Sequence, residues 1–533
     1  MASTNTDPNS SRPTILQQYL VCLQSDPNTL RGLLRGVEKE SLRVLPDGSL
    51  SLDPHPSALG SALTHESITT DFSEAQLELI TGVHDSAAKC LQELVDVHRF
   101  VYTHMAGELL WPSSMPCVVG EDADIPVGQY GSSNIGMAKT VYRRGLGLRY
   151  GRLMQTISGI HYNFSLPDEL WQTLGIQTSD EKTAAYFGLI RNFRRWSWLL
   201  IYLFGASPAV CRSFTRNMQH TLKSFDAGSQ HLPFATSLRM GPLGYQSSAQ
   251  SELHISYNSL DEYADSMVAA LTQKYPAYSA HGIKKNGEYQ QLNDCILQIE
   301  NEFYGTIRPK RRTESGERPV AALRERGVEY VEVRCLDLNP FLPAGLDEAQ
   351  MHFLDTFLLL CLLSNSPPDS MDEIQRVSAN QLSMVEAGRD PATRLLDDSG
   401  RLVSPVDWGT QLIQSCADVA KLLDTNESAS PYLDSCGVQQ TKLDNPALTP
   451  SAQILEAMRT QDIPFFRFSM NQGLAHEAHF AQHPLSPNEL AQCSEQVARS
   501  KRKQKEIEAA DDCDFDTFLT EYLKIPGPPA APV

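Results

Sequence analysis

Residues 36–44 read Gly-Val-Glu-Lys-Glu-Ser-Leu-Arg-Val, which predicts a β-strand leading into a turn at residues 46–48, Pro-Asp-Gly. Residues 49–52 are predicted to return beside that strand. Successive side chains of a strand point to opposite faces, so Glu38 and Glu40 share one face. At about 4 Å, two carboxylates repel each other by roughly 4 kcal/mol in a surface-like dielectric. Solvent or a bound cation must relieve this repulsion, and we predict that the pair binds metal.

Other stretches with strand-like alternation carry polar residues on one face. Residues 158–165 place Ile160, Tyr162 and Phe164 on one face and His161 with Asn163 on the other. Glu78 lies in the strand-like segment at the end of residues 69–80. Glu332 and Arg334 share one face of the predicted strand at residues 329–336. Further strands are predicted over residues 296–304 and 307–311.

The rest of the chain shows helical periodicity separated by loops. Helices are predicted near residues 15–23, 86–105 and 168–202, whereas residues 121–150 read mainly as loop. From residue 347 onward helices dominate, and the last begins at Ser486 with Pro487 in its first turn. The predicted class is α+β, with a mainly antiparallel or mixed sheet followed by a helical half. The predicted divisions are a disordered tail (1–13), a catalytic sheet region (14–345), a mainly helical region packed on it (346–525) and a Pro-rich tail (526–533).

Composition excludes several classes of protein. The formal charge of −19, from 45 Lys and Arg against 64 Asp and Glu, argues against a nucleic-acid binder. The longest apolar run, residues 357–363, is too short to span a bilayer, and residues 1–13 lack the apolar segment of a secretory signal. Eleven scattered cysteines without a CxxC pair suit a reducing compartment. We therefore expect a cytoplasmic protein without a membrane segment.

The polar residues on the predicted strands suggest a metal and phosphate site. Carboxylates with an occasional imidazole suit Mg²⁺ or Mn²⁺, and an arginine two residues from a carboxylate suits a phosphate bridged to that metal. The alternative is that these are the ordinary solvated faces of antiparallel strands. Their recurrence in several separated strands favours the site. The set comprises Glu38, Glu40, Glu78, His161, Glu332 and Arg334.

Three motif-like stretches do not meet their patterns. Residues 131–140 resemble a P-loop, but two residues separate Gly136 from Lys139, and no clear strand precedes them. His476 and His479 are one residue too close for an HExxH zinc motif. The basic run 499–503 reads as a solvated helix face, whereas the run 308–312 follows a strand and is a candidate phosphate clamp.

Nine ordered blocks of sequence resemble the large single-chain bacterial type of glutamate–cysteine ligase. The resemblance runs from about residue 30 to residue 339 and continues more weakly toward residue 525. The blocks are RGVEKESLRV (35–44), GSALTHESITTDFSEAQLELIT (60–81), WPSSMPC (111–117), QYGSSNIG (129–136), GRLMQTISGIHYNFSLP (151–167), YLFGASPAVC (202–211), PFATSLRMGPLGY (233–245), LQIENEFYGTIRPKR (297–311) and GVEYVEVRCLDLNPF (327–341).

The resemblance implies an activity, a fold and a set of ligands. It implies ATP- and Mg²⁺-dependent joining of the L-glutamate γ-carboxylate to the L-cysteine amine, the first step of glutathione biosynthesis, through a γ-glutamyl phosphate. Mn²⁺ is an alternative metal, and ATP is a co-substrate. The implied fold is a curved, mainly antiparallel sheet like that of glutamine synthetase. A monomer is compatible with this interpretation.

The resemblance also implies roles for individual residues. Glu332 and Arg334 are the implied catalytic residues, with Arg334 on the transferred phosphate and Arg308 and Lys310 on the nucleotide side. Asp71 is a weaker metal candidate than the carboxylates on the strands. The implied metal ligands are Glu38, Glu40, Glu78, His161 and Glu332, and the implied amino-acid pocket contains Tyr142, Arg143, Arg239, Tyr245 and Tyr304.

Two other functions stay open at this stage. One is a related carboxylate–amine ligase that uses a different acid or amine. The other is a nucleotide- or glutathione-binding regulator without catalysis, which would not need so many metal ligands. ADP release measured with glutamate and a panel of amines separates them.

Overall fold

The computed structural model describes residues 14–105, 107–244, 248–251, 253–314, 316–426 and 429–525. Its β-strands are β1 (Leu34–Val44), β2 (Ile68–Thr70), β3 (Gln76–Ile80), β4 (Leu109–Leu110), β5 (Ile160–Ser165), β6 (Ala209–Cys211), β7 (Lys223–Ser224), β8 (Ser229–His231), β9 (Lys284–Lys285), β10 (Glu288–Tyr289), β11 (Ile307–Lys310), β12 (Tyr330–Leu336), β13 (Leu395–Leu396) and β14 (Leu402–Val403). Its α-helices are α1 (Ile15–Gln24), α2 (Ala87–His104), α3 (Asn134–Tyr150), α4 (Asp168–Thr173), α5 (Ser179–Phe204), α6 (Arg212–Thr215), α7 (Ser248–Ser251), α8 (Leu260–Thr272), α9 (Pro276–His281), α10 (Pro319–Arg326), α11 (Glu348–Leu363), α12 (Met371–Ala387), α13 (Pro405–Leu423), α14 (Pro431–Asp444), α15 (Pro450–Thr460), α16 (Phe465–Gln482), α17 (Pro487–Ala510) and α18 (Phe515–Tyr522).

The main sheet is built around β1, the strand predicted from residues 36–44. Six strands run in the order β11-β12-β5-β1-β3-β2, with β4 also paired to β1, and these ladders are antiparallel. Residues 49–52 return beside the end of β1 as predicted, with the Ser51 N–H donating to the Arg43 carbonyl at 3.0 Å, but they form a single antiparallel bridge between Val44 and Leu50 instead of a regular strand. The α+β class with an antiparallel sheet is confirmed.

The apolar face of this sheet forms the protein core. Ile160, Tyr162 and Phe164 of β5 are at most 1% exposed, as the period-two alternation predicts. Val331 and Val333 of β12 are fully buried on the same side. Helix α5 contacts β11 and β12, and α11 reaches the same layer through Asp355, which accepts from the Tyr162 hydroxyl at 2.6 Å. Because the apolar face is covered, the polar residues between these positions face the other side.

Residues 121–150 contain helix α3, so the prediction of a loop there is wrong. The Ser133 hydroxyl caps the helix by accepting from the Gly136 N–H at 3.2 Å. Each glycine inside a helix costs about 1 kcal/mol relative to alanine, which weakens the local signal. Here Gly145 is required by packing, because a Cβ atom at this position would collide with the Gln298 side-chain amide. Tertiary packing therefore stabilises a helix that the local composition disfavours.

The strand predicted over residues 296–304 is also wrong. Residues 300–302 form a short 3-10 helix around the buried Glu302 carboxylate. That carboxylate accepts from Arg149 at 2.9 Å, from the Tyr150 hydroxyl at 2.6 Å and from the Gln298 N–H at 2.6 Å. A buried charge needs such partners, and the backbone bends to supply them. Strands β11 and β12 confirm the neighbouring predictions at residues 307–311 and 329–336.

The helical second half agrees with the prediction, except at its end. Ser486 caps α17 through a capping box with Glu489, as predicted from Ser486 and Pro487. This helix is not the last, because α18 follows it. None of the helices in the described parts of the chain has the length and hydropathy needed to cross a bilayer.

One pair of cysteines forms a disulfide that the sequence did not predict. Cys117, after β4, is bonded to Cys211 at the end of β6, with Cα atoms 5.2 Å apart. The other nine cysteines are free thiols. The partners are 94 residues apart in sequence, so local spacing carries no signal of their pairing.

Acidification should destabilise the fold through a buried histidine of α16. Burial and the nearby Lys39 lower the pKa of His476 to about 4. The unfolded chain therefore binds a proton between pH 6.5 and 4 that the folded chain does not, so stability falls as pH falls. Between pH 7.5 and pH 5, the wild type should lose about 2 kcal/mol more than His476→Gln, measured by urea unfolding.

His483 provides the matched control for this prediction. It lies exposed at the end of the same helix, and His483→Gln should follow the wild-type pH dependence. If His476→Gln and the wild type lose equal stability over this range, His476 does not carry the effect.

Candidate active site

The polar face of the main sheet brings all five predicted metal ligands together. In the ladder register, Glu38 lies opposite His161 on β5, and Glu40 lies opposite Glu78 on β3. Glu332 lies on β12, which pairs with the other edge of β5. Because all five side chains point to one face, four strands contribute to a single cluster.

This cluster lines a cavity of about 310 Å³. Ligand atoms of Glu38, Glu78 and His161 lie within 4.8 Å of one another. The His161 Nδ1 atom lies 3.1 Å from Glu38 Oε2, and its Nε2 atom lies 3.7 Å from Glu40 Oε1. Oxygen and imidazole donors at this spacing form the donor set that a divalent cation takes.

Burial and repulsion disfavour the ionised form of two carboxylates of the cluster. Burial, together with repulsion from Glu38, Asp71 and Glu40, raises the pKa of Glu78 well above its ordinary value. Burial and then Asp71 raise the pKa of Glu40 to about 8, although its Oε2 accepts from the Gly159 N–H at 2.8 Å. A bound cation would remove this penalty, so the residues present fit a divalent metal.

The other side of the cluster has compensating charge. Burial acts to raise the pKa of Glu332, but Lys310 and Arg334 outweigh it and hold the pKa well below its usual range. Burial similarly opposes ionisation of Glu38, yet its hydrogen bond with His161 leaves its pKa lowered. Burial and then Arg334 lower the pKa of His161, which favours the neutral imidazole that ligates metals.

The predicted phosphate-binding cations lie beside Glu332. The Lys310 ammonium donates to Glu332 Oε1 at 3.2 Å, and the Arg334 guanidinium donates to Oε2 at 3.1 Å. Arg308 is buried and donates to the backbone carbonyls of Asn301 and Phe303. All three cations line the same cavity as the carboxylates. The arrangement places positive charge next to a candidate metal cluster, as phosphate binding requires.

This cavity adjoins a second one of about 420 Å³, which Arg239 lines. Arg239 is 1% exposed and donates to the Arg334 backbone carbonyl at 3.0 Å. Tyr304 and Arg334 line both cavities. The Tyr304 hydroxyl accepts from the Gln155 amide at 3.1 Å. The two cavities therefore adjoin at the residues predicted for phosphate and amino-acid contacts.

Helix α3 forms the wall of the first cavity that carries Tyr142 and Arg143. The Arg143 guanidinium donates to the backbone carbonyls of Thr70 and Asp71 and lies 4.4 Å from the centre of the Tyr130 ring. Its position is therefore set by protein contacts before any ligand binds. Tyr245, the remaining residue of the predicted amino-acid pocket, lies outside the described residues.

Several residues that the sequence analysis did not identify also line the first cavity. Lys139, Tyr142, Arg143 and Leu146 follow the i, i+3, i+4, i+7 spacing of one helix face. This spacing is a detectable signal of a helix with one face toward the cavity. It was overlooked because residues 121–150 were predicted to be mainly loop. The residues missed are Phe72, Ala138, Lys139, Leu146, Gln155, Leu292, Ile299, Asn301, Glu302 and Tyr522.

Comparison with known proteins identifies relatives over nearly the whole chain. Residues 20–384 match the family model described as glutamate-cysteine ligase. A protein of Pseudomonas entomophila named "Glutamate--cysteine ligase" is 49% identical over 515 residues, covering 95% of this chain and 97% of its own. A protein of the same name from Alcanivorax borkumensis is 48% identical over 506 residues, covering 93% and 96%.

Solved structures show the same fold. The glutamate–cysteine ligase of Francisella tularensis, in complex with AMP, superposes with a TM-score of 0.87 at 37% identity, covering 92% of this chain and 97% of its own. A bifunctional glutathione synthetase of Pasteurella multocida superposes with a TM-score of 0.68 at 23% identity, covering 87% of this chain and 55% of its own. At this sequence identity, the similarity to the second structure shows a common fold only.

Proposed function

Because this chain belongs to the glutamate–cysteine ligase family, we propose that it joins glutamate to cysteine by an ATP-dependent reaction with an acyl phosphate intermediate. The chain is a ligase of glutathione biosynthesis. The observation that carries the proposed mechanism is the cavity in which three cations adjoin the carboxylate and histidine cluster. The relative solved with AMP supports a nucleotide site in this fold.

The residues proposed to hold Mg²⁺ are the carboxylates and the histidine of the cluster, in which a cation would stabilise the ionised forms of Glu40 and Glu78. Glu78 and Glu40 have raised pKa values, and His161, whose pKa is lowered, lies on β5, which pairs with the edge of β1 opposite to β3. When bound, Mg²⁺ would neutralise phosphate charge, and Mn²⁺ offers the same coordination chemistry. The proposed ligands are Glu38, Glu40, Glu78, His161 and Glu332.

The first proposed step transfers the γ-phosphoryl group of ATP to glutamate. An oxygen of the glutamate γ-carboxylate attacks the γ-phosphorus, the bond to the bridging oxygen breaks, and ADP leaves with that electron pair. Arg334 is proposed to stabilise the charge on the transferring group, while Lys310 and Arg308 bind the nucleotide phosphates. Glu332 holds Lys310 and Arg334 in place through its two carboxylate oxygens.

The second proposed step forms the amide bond. The cysteine amine attacks the acyl carbon, the carbon–oxygen bond to phosphate breaks, and inorganic phosphate leaves while the amine loses a proton. Neither step needs a protein nucleophile. The residues proposed to position the amino acids are Tyr142, Arg143, Arg239, Tyr245 and Tyr304.

Several finer expectations accompany this proposal. We propose a curved sheet of glutamine-synthetase type, a catalytic region over residues 14–345 and a helical region over residues 346–525. A cytoplasmic location and a monomeric state also stay predictions. Asp71 lines the metal cavity and is proposed as an outer member of the carboxylate cluster.

ADP release tests the proposed function. With glutamate, cysteine and Mg-ATP present, we expect turnover, and omission of glutamate should abolish it because no acyl phosphate can form. Omission of cysteine should reduce the rate to slow hydrolysis of the activated intermediate. A larger kcat/KM with another amine would indicate a different carboxylate–amine ligase. Mg-ATP binding without any glutamate-dependent ADP release would indicate a regulator.

A further inference from the structure

The C-terminal segment of the described chain returns to the active site and docks on the start of α3. Its residues 508–523, called here the C-terminal arm, include the end of α17 and all of α18. The Glu508 carboxylate accepts from the Ser132 N–H at 2.9 Å, and the Asp511 carboxylate accepts from the Asn134 N–H at 2.7 Å. The Asn134 side chain donates to the Cys513 carbonyl at 2.9 Å.

These contacts explain the P-loop-like stretch at residues 131–140. The N-terminus of α3 carries unpaired N–H groups and the positive end of the helix dipole, which attract an anion. Glu508 and Asp511 supply that anion from within the chain. Gly131, at φ +85°, permits the approach, because a Cβ atom there would collide with Gln504 and Glu508. The loop therefore binds protein carboxylates.

An apolar cluster extends the docking along α3. Leu519 of the arm is 4% exposed and packs with the buried residues Ala138 and Val141 of α3. Tyr142 also belongs to this cluster and lines the catalytic cavity. The helix that carries the proposed amino-acid contacts is thus held on one side by the arm.

Tyr522, at the end of α18, lines the catalytic cavity itself. Its ring centre lies 5.9 Å from the Arg318 guanidinium carbon. Arg318 forms a buried ion pair with Glu300 at 2.7 Å and donates to the Tyr522 backbone carbonyl at 3.4 Å. Because Arg318 contacts both Tyr522 and Glu300, it joins the end of the arm to residues 300–302, which form part of the cavity wall.

The side chains around Tyr522 form the apolar part of this cavity. Ala138, Leu292 and Ile299 line the cavity and belong to the same cluster as Tyr522. The proposed metal ligands and the cations Arg308, Lys310 and Arg334 project from the sheet strands instead, whereas Lys139 and Arg143 of α3 add charge at the border of this patch. An apolar and aromatic patch favours a weakly polar thiol over a carboxylate, a phosphate or a hydroxyl, and sulfur makes favourable contacts with aromatic rings.

We propose that the C-terminal arm completes the acceptor subsite and that Tyr522 contacts the side chain of the acceptor amino acid. This inference rests on the proposed ligase function. It makes Tyr522 a specificity-determining residue that favours a thiol over a hydroxyl acceptor.

The test compares acceptors in full-length variants. Tyr522→Ala should lower the ratio of kcat/KM for cysteine to kcat/KM for serine about tenfold, because one aromatic contact is lost. The KM for Mg-ATP should change by less than twofold. Tyr522→Phe, which keeps the ring, should show less than half of the loss in discrimination.

Leu519→Ala is the matched structural control. Leu519 packs in the same helix and cluster without lining the cavity, so its truncation should lower Tm while the cysteine-to-serine ratio stays constant. An unchanged ratio in Tyr522→Ala, an equal loss in Leu519→Ala, or a main effect on the KM for Mg-ATP would each overturn the proposal. Lack of wild-type turnover would instead refute the ligase function on which it rests.

Discussion

Replacing Glu332 with glutamine should reduce glutamate- and cysteine-dependent ADP release by at least about 100-fold, as expected when a preorganised charge is removed from a phosphoryl-transfer site. Glu332 is 1% exposed. Its carboxylate oxygens accept from the Lys310 ammonium at 3.2 Å and from the Arg334 guanidinium at 3.1 Å. Glutamine keeps the shape but loses the charge that balances these cations. Metal affinity should fall as well, measured as a smaller rise in Tm on adding Mn²⁺.

The control for this variant lies three residues earlier on the chain. Glu329 pairs with Arg312 at 2.9 Å, outside the residues that line the cavity. Glu329→Gln should retain near wild-type turnover, since exposed ion pairs contribute little. Wild-type turnover in Glu332→Gln, with an unchanged response to Mn²⁺, would contradict both roles of Glu332. Circular dichroism at 25 °C distinguishes lost chemistry from lost folding.

Replacing Arg334 with glutamine should lower kcat about 1,000-fold, the scale of an arginine that stabilises a transferring phosphoryl group. The Arg334 guanidinium lies 3.4 Å from His161 Nδ1 and donates to Glu332, so it adjoins both the metal cluster and the phosphate cations. Because the charge it stabilises develops in the transition state, the KM for Mg-ATP should change far less than kcat. Steady-state kinetics at saturating amino acids measure this split.

A second arginine, which follows the end of β11 and does not line the cavity, provides the comparison. Arg312 is 85% exposed and forms an ion pair with Glu329, so Arg312→Gln should leave kcat within twofold. A rise in KM for Mg-ATP with unchanged kcat in Arg334→Gln would assign Arg334 to ground-state nucleotide binding instead. The double variant Glu332→Gln, Arg334→Gln should lose less than the product of the single effects, because the two side chains act as a unit.

The candidate ligands were predictable because a strand has a fixed period of two. His161 and Glu332 alternate with buried apolar residues, so their common direction follows from local sequence once the strands are recognised. The sequence blocks that resemble glutamate–cysteine ligase then indicated that these polar residues belong to one site. Helix α3 was missed because its glycines lower the local helical signal, and the helix depends on contacts such as that between Gly145 and Gln298.

The sequence by itself determined the antiparallel strands, the polar face and the ligand types, since these depend on residue chemistry and on the geometry of neighbouring peptide units. Only the tertiary structure decided that β1 pairs with both β3 and β5, which brings Glu38 and Glu78 next to His161. It also decided that the C-terminal arm adds Tyr522 to the cavity. Such contacts join residues far apart in sequence, and their free energy comes from packing and charge pairing that local periodicity does not encode.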